Sequence, residues 1–143
     1  MTRVSHFGLC VSDLERSLRF YRDGLGFEQG PRYEVGGDFA RTLEARGPIE
    51  LVSQFIHKDG VSIELLWYKS PAPHGTPSAS RAQLGFTHLS VSVDDVDAAA
   101  RKLVGCGGTL LPDTRTSAKV EAGTASQFVF VADPDGVRVE LMA

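Results

Sequence analysis

At 143 residues, 42% hydrophobic and 23% charged, the chain suits one compact soluble domain with a sizeable core. A net charge of −3 leaves no basic footprint for nucleic acid, and no apolar run approaches the roughly 18 residues of a membrane span. Cys10 and Cys106 lack CxxC spacing, and MTRVSHFGLCVSDL lacks a signal peptide's apolar run, so reduced thiols in a cytoplasmic protein are expected.

The first element is a strand. In SHFGLCV (5–11), Phe7, Leu9 and Val11 alternate with His6, Gly8 and Cys10, so one face packs on a core and the other does not. Ser12 and Glu15 then read as an S-x-x-E capping box. Leu14, Leu18, Tyr21 and Leu25 recur at helical spacing, and Gly24 and Gly26 end the helix. Strands are expected over 27–33, 49–57 and 61–68, with a short helix over 38–46 stopped by Gly47. Lys58, Asp59 and Gly60 form the hairpin turn between the last two strands. KSPAPHGTPSASRAQ is rich in Pro and Ser and reads as a linker.

A second series follows. THLSVSV (87–93) alternates as a strand, Asp94 is the expected N-cap, and Val96, Ala99, Ala100, Leu103 and Val104 form a helical stripe ended by Gly105, Gly107 and Gly108. Strands are expected over 109–111, 125–131 and 137–142, with a turn at Pro134, Asp135 and Gly136 and a loop over 112–124. The chain is thus read as one α+β domain of two strand–helix–strand–strand–strand modules, 1–68 and 85–143, joined by a linker over 69–84.

The two modules repeat one another. DGVSIELL (59–66) matches DGVRVELM (135–142), and SHFGLCVSDL (5–14) matches THLSVSVDDV (87–96). His6 falls on His88, Asp13 on Asp95 and Glu64 on Glu140. The histidines are 82 residues apart and the glutamates 76, a difference that one modest insertion or deletion explains.

A glutamate among aliphatic neighbours costs free energy unless something pairs with it. Alternation puts Glu64 with Ser62 and Leu66, and Glu140 with Arg138 and Met142. If the sheets curl so that their small-residue faces form a trough, His6, Glu64, His88 and Glu140 meet there. A divalent cation then resolves their mutual repulsion: two carboxylates balance its charge, two neutral imidazoles add nitrogen donors, and open positions remain for substrate oxygens. Cys10, Trp67, Tyr68 and Ser90 are candidates to line the pocket. Arg115 and Lys119, in PDTRTSAKVEAGT (112–124), are candidates to clamp an anionic tail. Glu50 is a weaker candidate for acid–base work, His57 reads as a strand-end residue, and His74 belongs to the linker.

These motifs, with FYRDGLGF (20–27) and ADPDGVRVELM (132–142), resemble the vicinal oxygen chelate superfamily. It includes glyoxalase I, methylmalonyl-CoA epimerase, extradiol dioxygenases and bleomycin- or fosfomycin-resistance proteins. The resemblance spans essentially the whole chain. It implies paired βαβββ modules forming an open, cupped sheet around one metal ion (Ni, Co, Zn, Mn or Fe), with His6, Glu64, His88 and Glu140 as ligands, in a homodimer. Glyoxalase I enzymes share that ligand set, but they commonly carry an arginine four residues after the first histidine and an asparagine four after the first glutamate. Cys10 and Tyr68 stand there, so the resemblance does not extend to glutathione.

The implied activity is that of a metal-dependent lyase or isomerase on a small oxygenated substrate, with an enediolate or enolate stabilised by chelation. Glu140 is the expected proton carrier and Glu64 its partner. Two other classes resemble the chain as well: a ligand-sequestering resistance protein without turnover, and an Fe(II) extradiol dioxygenase.

Overall fold

The period-two stretch at the start of the chain folds as β1 (Phe7–Cys10), and its copy as β5 (Leu89–Ser92). The structure, a computed structural model, describes residues 1–121 and 124–143, and the side chains of 1–119 and 126–143. Two compact units emerge, Met1–Gly75 and Thr76–Ala143.

In the first unit β1 is followed by helix α1 (Leu14–Leu18), then by β2 (Glu28–Val35), β3 (Glu50–Lys58) and β4 (Val61–Ser70). The sheet order is β1-β4-β3-β2, with β1 parallel to β4 and the other pairs antiparallel. The second unit repeats this with helix α2 (Val96–Gly105), β6 (Thr109–Glu121), β7 (Thr124–Ala132) and β8 (Arg138–Met142), in the order β5-β8-β7-β6. The α+β class with two open four-stranded sheets is therefore as expected.

Each sheet buries one face under its helix. In the first unit Val52, Ile56, Ile63 and Leu65 pack with Leu14, Leu18, Phe20 and Tyr21; in the second Val129, Val131, Val139 and Leu141 pack with Val96, Ala100 and Leu103. Helix α1 continues through Arg19–Gly24 as a wider turn in which the Leu25 N–H reaches the Phe20 carbonyl, five residues back, at 3.1 Å. That widening lets the adjacent rings of Phe20 and Tyr21 both enter the core.

Both N-caps lie one residue beyond the expected Ser12 and Asp94. Asp13 accepts a hydrogen bond from the Arg16 N–H, and Asp95 from the Ala98 N–H, each at 2.9 Å. The cause is the preceding strand. Val11 and Val93 still donate to the Leu66 and Met142 carbonyls, so the chain needs two residues to turn before a helix starts. Ser12 instead accepts from the Arg16 guanidinium at 2.9 Å.

Two further expectations are corrected. The helix over 38–46 is a single 3₁₀ turn, Gly37–Phe39, followed by turns; Phe39 is exposed, and Glu44 takes a left-handed φ of 52° that ends any helical run. With no core to receive an apolar stripe, a short helix gains nothing to offset its nucleation cost. The segment 112–124 belongs mainly to the β6–β7 hairpin rather than to a loop; of it, 122 and 123 lie outside the described residues. Pro112 is absorbed by an irregularity between Leu111 and Thr116, where the Thr114 hydroxyl donates to the Leu111 carbonyl at 2.6 Å and accepts from the Phe130 N–H at 2.9 Å.

The two hairpins use the expected turn residues. Asp59 and Gly60 both have positive φ, 50° and 79°, which matches the right-handed twist of β3 and β4. In the second unit, buried Asp133 organises the turn by accepting from the Asp135 and Val137 N–H groups.

One polar side chain sits among the apolar ones of the first sheet. Gln54 is fully buried and lies beside the irregularity in β2 between Gln29 and Arg32. Its oxygen accepts from Gln29 (3.1 Å) and Arg32 (2.8 Å), and its nitrogen donates to the Gly30 and Phe55 carbonyls at 2.9 and 2.8 Å. The amide's hydrogen-bonding capacity is filled, which removes the penalty for burying it.

Ser17, buried in α1, is the opposite case: among the described residues its hydroxyl finds no partner. Ser17→Ala should therefore raise unfolding stability by about 1 kcal/mol, read from denaturant midpoints. The Asp95 carboxyl is held below its ordinary 3.8, first by the Ala98 N–H. A lowered native value adds stability that is complete above that ordinary value and is lost as pH falls toward and through the native one. Asp95→Asn keeps an acceptor but should remove this acid-side contribution in pH-dependent unfolding curves.

Candidate functional site

Parallel pairing of β1 with β4 sets Gly8 opposite Glu64, and the chain just upstream carries His6 back over the same face. The His6 Nε2 lies 3.1 Å from Glu64 Oε2. In the second unit Ser90 is opposite Glu140, and His88 Nε2 lies 3.6 Å from Glu140 Oε2. The four side chains are between one fifth and about one third exposed: 35% and 20% for the first pair, 33% and 22% for the second. They are shielded enough to strengthen electrostatics and open enough for a small ligand to reach.

Each pair is built in the same way. The edge of the His6 ring meets Phe55 at 5.2 Å and 84°, and that of His88 meets Phe130 at 5.3 Å and 86°. Phe55 and Phe130 are the register partners of Glu64 and Glu140. Behind each imidazole a hydroxyl holds Nδ1: Ser5 at 3.0 Å and Thr87 at 2.8 Å. A hydroxyl both donates and accepts, so it can take the Nδ1–H and leave Nε2 with a lone pair facing the carboxylate. This donor set fits a divalent cation: neutral imidazole nitrogen and carboxylate oxygen, with the second ring nitrogen already satisfied.

Among the described residues no three His, Cys, Asp or Glu side chains come together as a metal site. The structure brings His6 to Glu64 and His88 to Glu140, one pair in each unit.

The carboxylates differ in their other partners. Ser53, buried on β3, donates its hydroxyl to Glu64 Oε1, so both oxygens of Glu64 are engaged. Ser90 donates to Glu140 Oε2 at 2.8 Å, the oxygen that already faces His88. Glu140 Oε1 makes no hydrogen bond among the described residues.

Of the residues expected to line the pocket, Cys10 and Ser90 share a sheet face with Glu64 and Glu140 respectively. Trp67 does not. It pairs with Val52 on the helix-covered face of β4, because adjacent strand residues point to opposite sides, and Lys69 lies 5.6 Å from its ring. Tyr68, next along, is the aromatic on Glu64's side. Burial first, then the negative charges of Cys10 and Glu64, push its phenol above the ordinary 10.0. It therefore stays a neutral O–H donor beside the pair at neutral pH.

Arg115 and Lys119 are also on the other side. Thr116 pairs with Phe128 on Glu140's face, so Arg115 and Lys119 alternate to the helix side, where Arg115 binds Asp97 of α2. An anion clamp at the pair is not what these two residues form. His57 accompanies neither pair; it hydrogen-bonds Ser62 at 2.8 Å and stacks on Phe55. A Cβ at Gly30 would run into its ring. Glu50 is exposed at the start of β3.

Several residues that build the pairs escaped the sequence reading: Ser5, Thr87, Ser53, Phe55 and Phe130. Two signals could have found four of them. The hydroxyl before each histidine is part of the repeat, SH against TH. Extending the glutamate repeat upstream aligns Phe55-Ile56 with Phe130-Val131 once one extra residue in the second turn is allowed. Ser53 has no repeat mate and carries no such signal.

Comparison with known proteins shows the family and the fold. A family model described as Glyoxalase/Bleomycin resistance protein/Dioxygenase superfamily matches residues 3–141. A probable lactoylglutathione lyase of Vibrio parahaemolyticus is 31% identical over 98% of this chain and 89% of its own length. The uncharacterized protein YaeR of Escherichia coli is 32% identical over 99% of this chain and 95% of its own. A glyoxalase family protein from Bacillus cereus superposes with a TM-score of 0.80 at 18% identity, covering 99% of this chain and 93% of that one, which speaks for the fold alone.

The Arg115–Asp97 ion pair is well exposed. Arg115→Ala should lower stability by no more than about 1 kcal/mol, and the difference from wild type should shrink when unfolding is repeated in high salt.

Proposed function

The chain belongs to the Glyoxalase/Bleomycin resistance protein/Dioxygenase superfamily, and on that premise we propose a divalent-metal-dependent lyase or isomerase. It would act on a small oxygenated substrate whose reactive carbon adjoins a carbonyl. The observation that carries the reading is the duplicated pair: imidazole and carboxylate at 3.1 and 3.6 Å, each ring backed by a hydroxyl on Nδ1.

His6, Glu64, His88 and Glu140 would hold the cation, two donors from each pair, contributed by one chain or by two copies. When bound, the ion would polarise the substrate carbonyl and stabilise negative charge developing on its oxygen. Retention of a carboxylate in both modules favours this over a metal-free sequestering protein. It also favours it over a dioxygenase, where a fourth protein ligand would occupy a position needed by substrate or oxygen.

The chain's own groups divide the remaining work. Glu140, with Oε1 uncommitted, would take the proton from the carbon beside the carbonyl and return it. Glu64, held at both oxygens, would stay in place. The Tyr68 phenol, neutral and beside Glu64, would donate a hydrogen bond to a substrate oxygen. Relatives at about 30% identity carry the name lactoylglutathione lyase, and the proton transfer proposed here is of that chemical kind. Cys10 and Tyr68 would present glutathione with a different wall from the arginine and asparagine of glyoxalase I, so the thiol-bearing part of the substrate is left open.

Elemental analysis of purified protein tests the metal. About one tightly held ion per chain is expected, and reconstitution with Ni, Co, Mn, Zn and Fe(II) should be assayed against 2-oxoaldehyde thiol adducts and acyl-CoA epimers. Glu140→Gln should cut kcat by about 10²–10⁴-fold while metal content is largely kept. Full activity in that variant would remove Glu140 from the proton-carrying role.

A further inference from the structure

The repeat makes the two glutamates equivalent in sequence, yet one position breaks the equivalence. Ser53 pairs in register with Leu66, two residues beyond Glu64. The corresponding residue in the second unit pairs with Met142, two beyond Glu140, and it is Phe128. The hydroxyl that reaches Glu64 from the inner strand thus has no counterpart at Glu140. The substitution runs the other way on the edge strand, where Gly8 lies opposite Glu64 and Ser90 opposite Glu140.

Where the hydroxyl sits decides what it does. Ser53 is 2% exposed, so its donation to Glu64 Oε1 meets little competition from water. With His6 on Oε2, the carboxylate is gripped at both ends and cannot turn about its last torsion without losing a partner. Ser90 is exposed, shares its hydroxyl with Met142 Sδ at 3.4 Å, and contacts only the oxygen already facing His88. Glu140 can rotate and keep its uncommitted oxygen available.

We propose that Ser53 is a positioning residue that fixes Glu64 as the stationary carboxylate of the site and so leaves the moving role to Glu140. The inference rests on the metal-dependent reading above. A buried hydroxyl behind a ligating carboxylate pre-organises it, and loss of such a support typically weakens metal binding by about 10–100-fold. Loss of the exposed Ser90 hydroxyl removes a contact that water can replace.

The test uses Co(II) alone as probe on the full chain, followed by its visible absorption and by competition with a chromophoric chelator. Ser53→Ala should bind Co(II) about 10-fold or more weakly and release it correspondingly faster. Ser53→Thr, which restores the hydroxyl, should recover most of the loss. Ser90→Ala should stay within about threefold of wild type. Thermal unfolding of the metal-free proteins separates a folding defect from a positioning one, because a purely structural role would shift Tm without the Thr rescue of Co(II) release. Wild-type loading with Ser53→Ala indistinguishable from it, or Ser90→Ala weakened as much, overturns the role of Ser53 and leaves the metal reading standing. A wild-type protein that takes up no Co(II) or Zn(II) overturns the metal reading itself, and this inference with it.

Discussion

The site depends on a parallel strand pairing. Laying β1 beside β4 brings the start of a module against its end, so that a histidine more than fifty residues upstream meets a glutamate across the ladder. β5 beside β8 does the same in the second unit. Parallel neighbours need a long crossover; the intervening helix and strands supply it, and the helix covers the opposite face of the sheet. The apolar face and the polar site are therefore two consequences of one arrangement: alternate residues of the same strands serve each.

Much of this could be read from the sequence because two periodicities agree. Alternation placed the His and Glu residues off the core side, and duplication singled out the same four side chains from other polar residues of the strands. The strands around the pairs came out within a few residues for the same reason. Failures occurred where a residue's type allowed two roles. Ser12 and Asp13 can both cap a helix, and only the last ladder hydrogen bond at Val11 decides between them. Pro112 and Asp113 read as loop, but Thr114 replaces the missing ladder bonds with its side chain and lets the strand continue. The stretch around Phe39 has helical composition and no surface to pack on.

Trp67 and Arg115 teach a related lesson. Proximity in sequence to a site residue is poor guidance within a strand, since a neighbour one position away faces the other side. Tyr68 rather than Trp67 accompanies Glu64, and Arg115 serves α2 through Asp97. The partners that do matter, Phe55 and Phe130, lie on adjacent strands and become visible only when pairing register is known.

The satisfied amide of Gln54 carries a consequence for the accuracy of the whole first sheet. Sliding β3 by one position would swing that group from its ring of four acceptors and donors onto the open side, and would push Ser53 or Phe55 into its place. The polar cavity left behind would accept neither without loss. Gln54 thus behaves as an index pin: it adds little cohesion of its own, but it lets only one alignment of the strands close without an orphaned carbonyl.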